Sequence, residues 1–94
     1  MAEQDVLAEV EFTIADAQSF LVLADRAEEN SRVAATRLYL RYAAQAYCRA
    51  AVPLERRDAV RSASLYMHAA GLFKRGRDSN NAKHYADHAR GLPR

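Results

Sequence analysis

The stretch DVLAEVEFTIADAQSFLVLADRAE, residues 5–28, decides the fold. Its apolar positions Leu7, Val10, Ile14, Ala17, Leu21 and Ala24 follow one another at intervals of 3, 4, 3, 4 and 3 residues. Side chains three and four apart stack on one face of an α-helix, so this spacing predicts one continuous helix from about Asp5 to Glu28. Phe20 and Leu23 widen the stripe, whereas Phe12 and Val22 fall off it. A helix patterned this way is either covered on two sides or leaves apolar area for a partner. Phe12, Phe20 and Val22 are therefore the expected protein-binding surplus, to be covered by another protein or by a second copy of the chain.

Working outward, Glu28-Glu29-Asn30-Ser31 breaks the pattern, and Asn30 or Ser31 is the expected N-cap of a second helix from about Arg32 to Ala51. Ala35, Tyr39, Tyr42, Ala43, Ala46, Tyr47 and Ala50 line one face of that helix, with Leu38 beside them. Small alanines let a neighbouring helix approach closely, and tyrosines fill the gaps between them. The opposite stripe, Arg37, Arg41, Gln45 and Arg49, repeats every four residues and forms a basic ridge.

Pro53 is expected to end the second helix and to sit in the first turn of a third, with Glu55 favouring the dipole there. Ala59, Ala63, Tyr66, Ala70 and Phe73 form a stripe, and Leu65, Ala69 and Leu72 form an adjacent one. Lys74-Arg75-Gly76 closes this helix, with Gly76 expected in a left-handed cap. Asp78 or Ser79 then caps a short fourth helix of about Asn80 to Arg90, with Ala82, Tyr85, Ala86 and Ala89 facing inward. Nothing reads as a strand. The expected fold is all-α, a small antiparallel bundle of about four helices in one domain over residues 1–94.

Composition agrees. Twenty of the 94 residues are alanine against three glycines and two prolines. A chain of this length excludes multidomain enzymes and barrels. Cys48 is the only cysteine, which rules out an internal disulfide and suits a reducing compartment. The longest apolar stretches, such as Phe20–Ala24, are far shorter than the roughly 20 residues a bilayer requires. The start, Met1-Ala2-Glu3-Gln4-Asp5, is acidic where a secretory signal would be basic. No membrane association is expected, and the expected location is cytoplasmic.

The net charge of +2 conceals a strong asymmetry. Residues 1–30 carry eight acids and one base, while residues 31–94 carry thirteen bases and four acids. One reading neutralises the basic portion against the acidic first helix. The other directs it at an acidic protein surface or a nucleic acid, through Arg37, Arg41, Arg49, Arg56, Arg57 and Arg61. Lys74, Arg75 and Arg77 add bases at the far end of the third helix.

The pattern Leu65-x3-Ala69-x2-Leu72-Phe73-x2-Gly76-x5-Ala82-x2-Tyr85-x3-Ala89 resembles a single tetratricopeptide-type helical hairpin. That family places an aliphatic, a small and an aromatic residue in its first helix, a glycine near the turn, and two alanines seven apart in the second. Here the turn is one residue longer, Tyr85 falls one position early, and the family's tryptophan-type position holds no aromatic. The resemblance implies a helical scaffold for protein contacts. Microtubule-interacting-and-transport-type three-helix domains share the same alanine and tyrosine texture.

Catalytic constellations are thin. His84 and His88 are four apart and could share a metal, yet neither His68 nor Cys48 supplies a third ligand by spacing. Cys48 lacks a neighbouring base and is expected to be buried or half-buried, and His68 to be partly buried. No glycine-rich phosphate loop and no Gly-x-Ser-x-Gly motif is present. No catalytic residue, metal or cofactor is expected. The expectation is a non-enzymatic protein-interaction or accessory subunit, with a nucleic-acid-associated subunit as the alternative.

Overall fold

A computed structural model describes residues 2–93, with side chains from residue 4. Its helices are α1 (Ala2–Glu29), α2 (Val33–Ala51), α3 (Ala59–Arg75) and α4 (Ser79–Gly91), with a 3₁₀ turn at Val52–Leu54 between α2 and α3. Among the described residues there is no strand. The fold is all-α, a small antiparallel bundle.

The antiparallel order follows from which side chains meet. Phe20 of α1 lies against Tyr42 of α2, with ring centroids 5.4 Å apart. Ser62 at the start of α3 donates to the Ala51 carbonyl at the end of α2, at 2.8 Å. Tyr85 of α4 stacks between Tyr66 and Phe73 of α3, at 5.7 and 5.6 Å. Extensive contact runs from each helix to its neighbour in sequence. The Cα envelope of 44 × 28 × 13 Å has a width of about three interhelical steps, so the bundle is opened out into a bent row. Helices α2 and α3 are interior members, while α1 and α4 are edges.

Position in the row explains the burial. Helix α2 has a neighbour on each side and buries Leu40, Ala43, Ala44, Ala46, Tyr47, Cys48, Ala50 and Ala51. A single stripe could not anticipate Leu40, Ala44 or Ala51, because two-sided packing widens the apolar arc. Tyr42 and Leu38, expected inside, each remain 38% exposed. Helix α3 is likewise two-sided, and both of its expected stripes are buried except Ala59, which is half-buried. Edge helix α1 fully buries only Val10 and Ala17, with Ala24 and Ala27 close behind. Leu7 is 43% exposed, whereas its neighbour Val6 packs against the core, so the inward face at this end of α1 runs through Val6 and Val10.

Three local expectations are corrected. Helix α3 does not begin at Pro53: proline opens the 3₁₀ turn, and Asp58 is the N-cap, accepting from the Arg61 amide at 3.0 Å. A side-chain acceptor at the cap outweighs a lone proline as a start signal. Helix α2 is preceded by Arg32, which provides no side-chain cap, while Ser31 adopts φ of 56°. Gly76 has φ of −79° and is not left-handed; Arg77 takes that conformation, with φ of 62°. What requires glycine at 76 is space. A Cβ there would lie 2.8 Å from Arg41 Cγ and 3.0 Å from the Arg37 carbonyl oxygen. Asp78 caps α4 as expected, accepting from the Asn81 amide.

Candidate functional site

Helix α1 carries a second stripe opposite the one that meets α2. Ala8, Phe12, Ala15, Ser19 and Val22 follow at intervals of 4, 3, 4 and 3, and all five are exposed. Phe12 is 74% exposed and Val22 50%, with Leu23 at 38% on the flank. Ala8, Glu11, Phe12 and Ala15 line a shallow groove of about 400 Å³. Of the expected surplus residues, Phe12 and Val22 lie on this outer face. Phe20 does not: it is half-buried, packed against Tyr42 and the core, and belongs to the seam between α1 and α2. Ala8 and Ala15 are marked in the sequence by the same 3-and-4 spacing, offset around the helix.

The six arginines of the expected basic face are distributed by helix geometry. Each step of four residues advances about 40° around a helix, so the ridge from Arg37 to Arg49 winds from the α3 side of α2 toward α1. Arg49 lines a cleft with Glu9, Val10 and Thr13 of α1. Arg61 forms a hydrogen-bonded ion pair with Glu11 of α1. At this end of the row, one acid of α1 is paired with a base of α3, and another shares a cleft with a base of α2. Arg56 and Arg57 are exposed in the nearby turn before α3. Arg41 is half-buried against Gly76, and Arg37 lies at the opposite end.

At that opposite end, the turn joining α1 to α2 and the turn joining α3 to α4 come together. Glu28, Ser31, Arg32, Val33, Thr36, Arg37, Leu40, Lys74, Arg75 and Arg77 enclose an open cavity of about 410 Å³. The sequence placed Lys74, Arg75 and Arg77 at the far end of the third helix, as bases that could join the Arg37-to-Arg49 ridge, with no link to Arg32. Antiparallel packing brings them to Arg32 and Arg37.

The titratable groups of the α3–α4 seam are tied to one another. Tyr66 donates its hydroxyl to Glu55 Oε2 at 2.6 Å, and Glu55 Oε1 lies 3.3 Å from His88 Nε2. Burial and the bond to Glu55 push the Tyr66 hydroxyl above its ordinary value, and burial alone raises Tyr47. Cys48 is buried, and desolvation pushes its thiol up to about 12, with Arg49 only partly opposing the shift. A thiol held neutral is a poor nucleophile. His68, expected to be partly buried, is exposed, its ring stacked on Tyr47 at 4.3 Å. His84 and His88 are both exposed. Among the described residues no group of three His, Cys, Asp or Glu side chains is placed to hold a metal ion, and no helix is long and apolar enough to cross a membrane. Compared with family models, curated proteins and solved structures, the chain matches none of them.

Proposed function

We propose that this chain is a protein-interaction or accessory subunit without chemistry of its own, docking through the outward face of α1. The observation that carries the proposal is Phe12, a large aromatic left 74% exposed on a regular helical stripe of an edge helix. Burying such a side chain is worth about 1.5–3 kcal/mol, and aromatic anchors of this kind dominate interface energies. The occupant is an amphipathic helix, whose apolar residues fit between Ala8, Phe12, Ala15 and Val22 as knobs between small-residue gaps.

Charge selects among such helices. Glu9, Glu11, Asp16 and Asp25 are exposed on α1 and Arg26 is its one base, so two copies of α1 laid together would oppose like charges. A partner with basic flanks is favoured over self-association through this face. The alternative, nucleic-acid association through the Arg37-to-Arg61 face, is weakened by the carboxylates Glu9 and Glu11 beside Arg49 and Arg61. A likeness of residues 65–89 to a repeat-type hairpin would suit the same role, a helical scaffold for protein contacts. One buried thiol suits a reducing cytoplasm.

The test is light scattering on the purified chain, followed by capture of partners from the native cell with wild-type and Phe12→Ser baits matched for helicity. A protein captured by the wild type and lost with Phe12→Ser supports the proposal. Equal capture by both baits, or dimerisation abolished by Phe12→Ser with no other partner, overturns it.

A further inference from the structure

The cavity between the two helix turns carries a charge imbalance in its lining. Arg32, Arg37, Lys74, Arg75 and Arg77 line it with Glu28 as the one carboxylate, a net charge of +4. No side chain of the five has a hydrogen-bond or ion-pair partner among the described residues. At the other end of the row Arg61 is paired with Glu11 of α1, and Arg49 shares a cleft lining with Glu9. Cations gathered around a low-lying cavity repel one another and raise the local concentration of anions.

Two further features point the same way. Helix α2 begins at this cavity with Arg32 as N-cap, without a side-chain cap and with no acid in its first turn. Its first amides are therefore left for a ligand or water, and they add the positive end of the helix dipole to the five side chains. Thr36 lines the same wall, although its hydroxyl already donates to the Arg32 carbonyl. Arg77, in the lining, has a backbone φ of 62°, the left-handed region that side chains rarely adopt. Buried Leu40 and exposed Val33 are the two large apolar side chains in the cavity lining.

We infer that this cavity is a binding site for a small phosphoryl anion of more than one negative charge, with about the charge of a diphosphate. Guanidinium groups bind phosphate oxygens in bidentate fashion, and Arg32, Arg37, Arg75 and Arg77 supply four of them from two helix hairpins. A cavity of about 410 Å³ falls within the range of small-ligand sites, while the single carboxylate Glu28 at its edge leaves a net charge that a diphosphate nearly neutralises. The inference is independent of the docking face on α1, which lies elsewhere on the molecule.

The experiment is a titration of the isotopically labelled full chain with sodium diphosphate at constant ionic strength, followed by amide chemical shifts. Saturable shifts confined to residues 31–37 and 74–78 are expected. Lys74→Gln/Arg75→Gln/Arg77→Gln should weaken binding at least about tenfold, whereas Arg49→Gln/Arg56→Gln/Arg61→Gln, which removes the same charge at the other end, should change it less than about twofold. The single variant Arg77→Gly, which relieves the backbone, should still weaken binding if the triple variant loses its helicity. Shifts that grow linearly and equally at both ends, or equal weakening by both triple variants, would overturn the inference. A single-stranded oligonucleotide that shifts these residues while diphosphate does not would also overturn it, reassigning the cavity to a polynucleotide backbone.

Discussion

The same substitution at two glycines of α3 and its cap should move stability in opposite directions. At Gly76, an added Cβ lies 2.8 Å from Arg41 Cγ and 3.0 Å from the Arg37 carbonyl oxygen. Ordinary carbon contacts are about 3.5–4.0 Å, so roughly 1 Å must be found. Arg41 Cγ belongs to the stem of its side chain rather than its tip, and the Arg37 oxygen is backbone, so relief requires a rotamer change and a shift of α2 against α3. Overpacking of this kind costs about 1–3 kcal/mol. Gly76 itself has φ of −79°, which alanine adopts freely, so a smaller unfolded chain entropy returns about 0.4–1 kcal/mol. The net expectation for Gly76→Ala is a loss of about 1–2 kcal/mol, or roughly 4–8 °C in Tm per kcal/mol for a domain of this size. At Gly71, inside α3, an added Cβ meets nothing within 4 Å. Gly71→Ala should therefore stabilise by about 0.5–1 kcal/mol through helix propensity alone. Urea unfolding followed at the helical circular-dichroism band measures both, with unchanged slopes confirming that the unfolded states are comparable. If Gly76→Ala proves neutral or stabilising, the close approach of α2 and α3 at this end is not what excludes a side chain.

Other perturbations test other contacts. Ser62 is fully buried and its hydroxyl donates to the Ala51 carbonyl, so Ser62→Ala should cost about 1–2 kcal/mol in the same urea assay, while an exposed site such as Ser64→Ala should change little. Cys48 has its thiol raised by burial from 9.0 to about 12. Below about pH 9 the thiol is neutral in both states and its burial contributes in full. Between there and pH 12 the unfolded chain ionises first, so stability should fall with rising pH, and less steeply in Cys48→Ala. Equal alkaline slopes for the two proteins would show that Cys48 remains solvated in the folded state.

The helices themselves were legible because helix formation is local. Spacings of three and four residues, a break at residues 29–31 and the capping residue Asp78 depend only on near neighbours along the chain, and α1, α2 and α4 fall within a few residues of where those signals put them. The start of α3 was misplaced because proline was weighed without Asp58, a cap whose acceptor is equally visible in the sequence. Cys48, with no base nearby in sequence, is expected to be buried or half-buried, and it is buried.

Tertiary packing alone decided the rest. Whether Phe12 and Phe20 both remain exposed depends on which flank of α1 receives α2, and Tyr42 covers only Phe20. Whether arginines form one face or two depends on how far apart in space the ends of α2 lie from the acids of α1 and from the close of α3. Arg32 and Arg77 are 45 residues apart in the chain and share one cavity, because two antiparallel hairpins return their turns to the same end of the row. Periodicity specifies the direction of a side chain around its own helix axis. It does not specify the neighbour found there, since that depends on burying apolar area across all four helices at once.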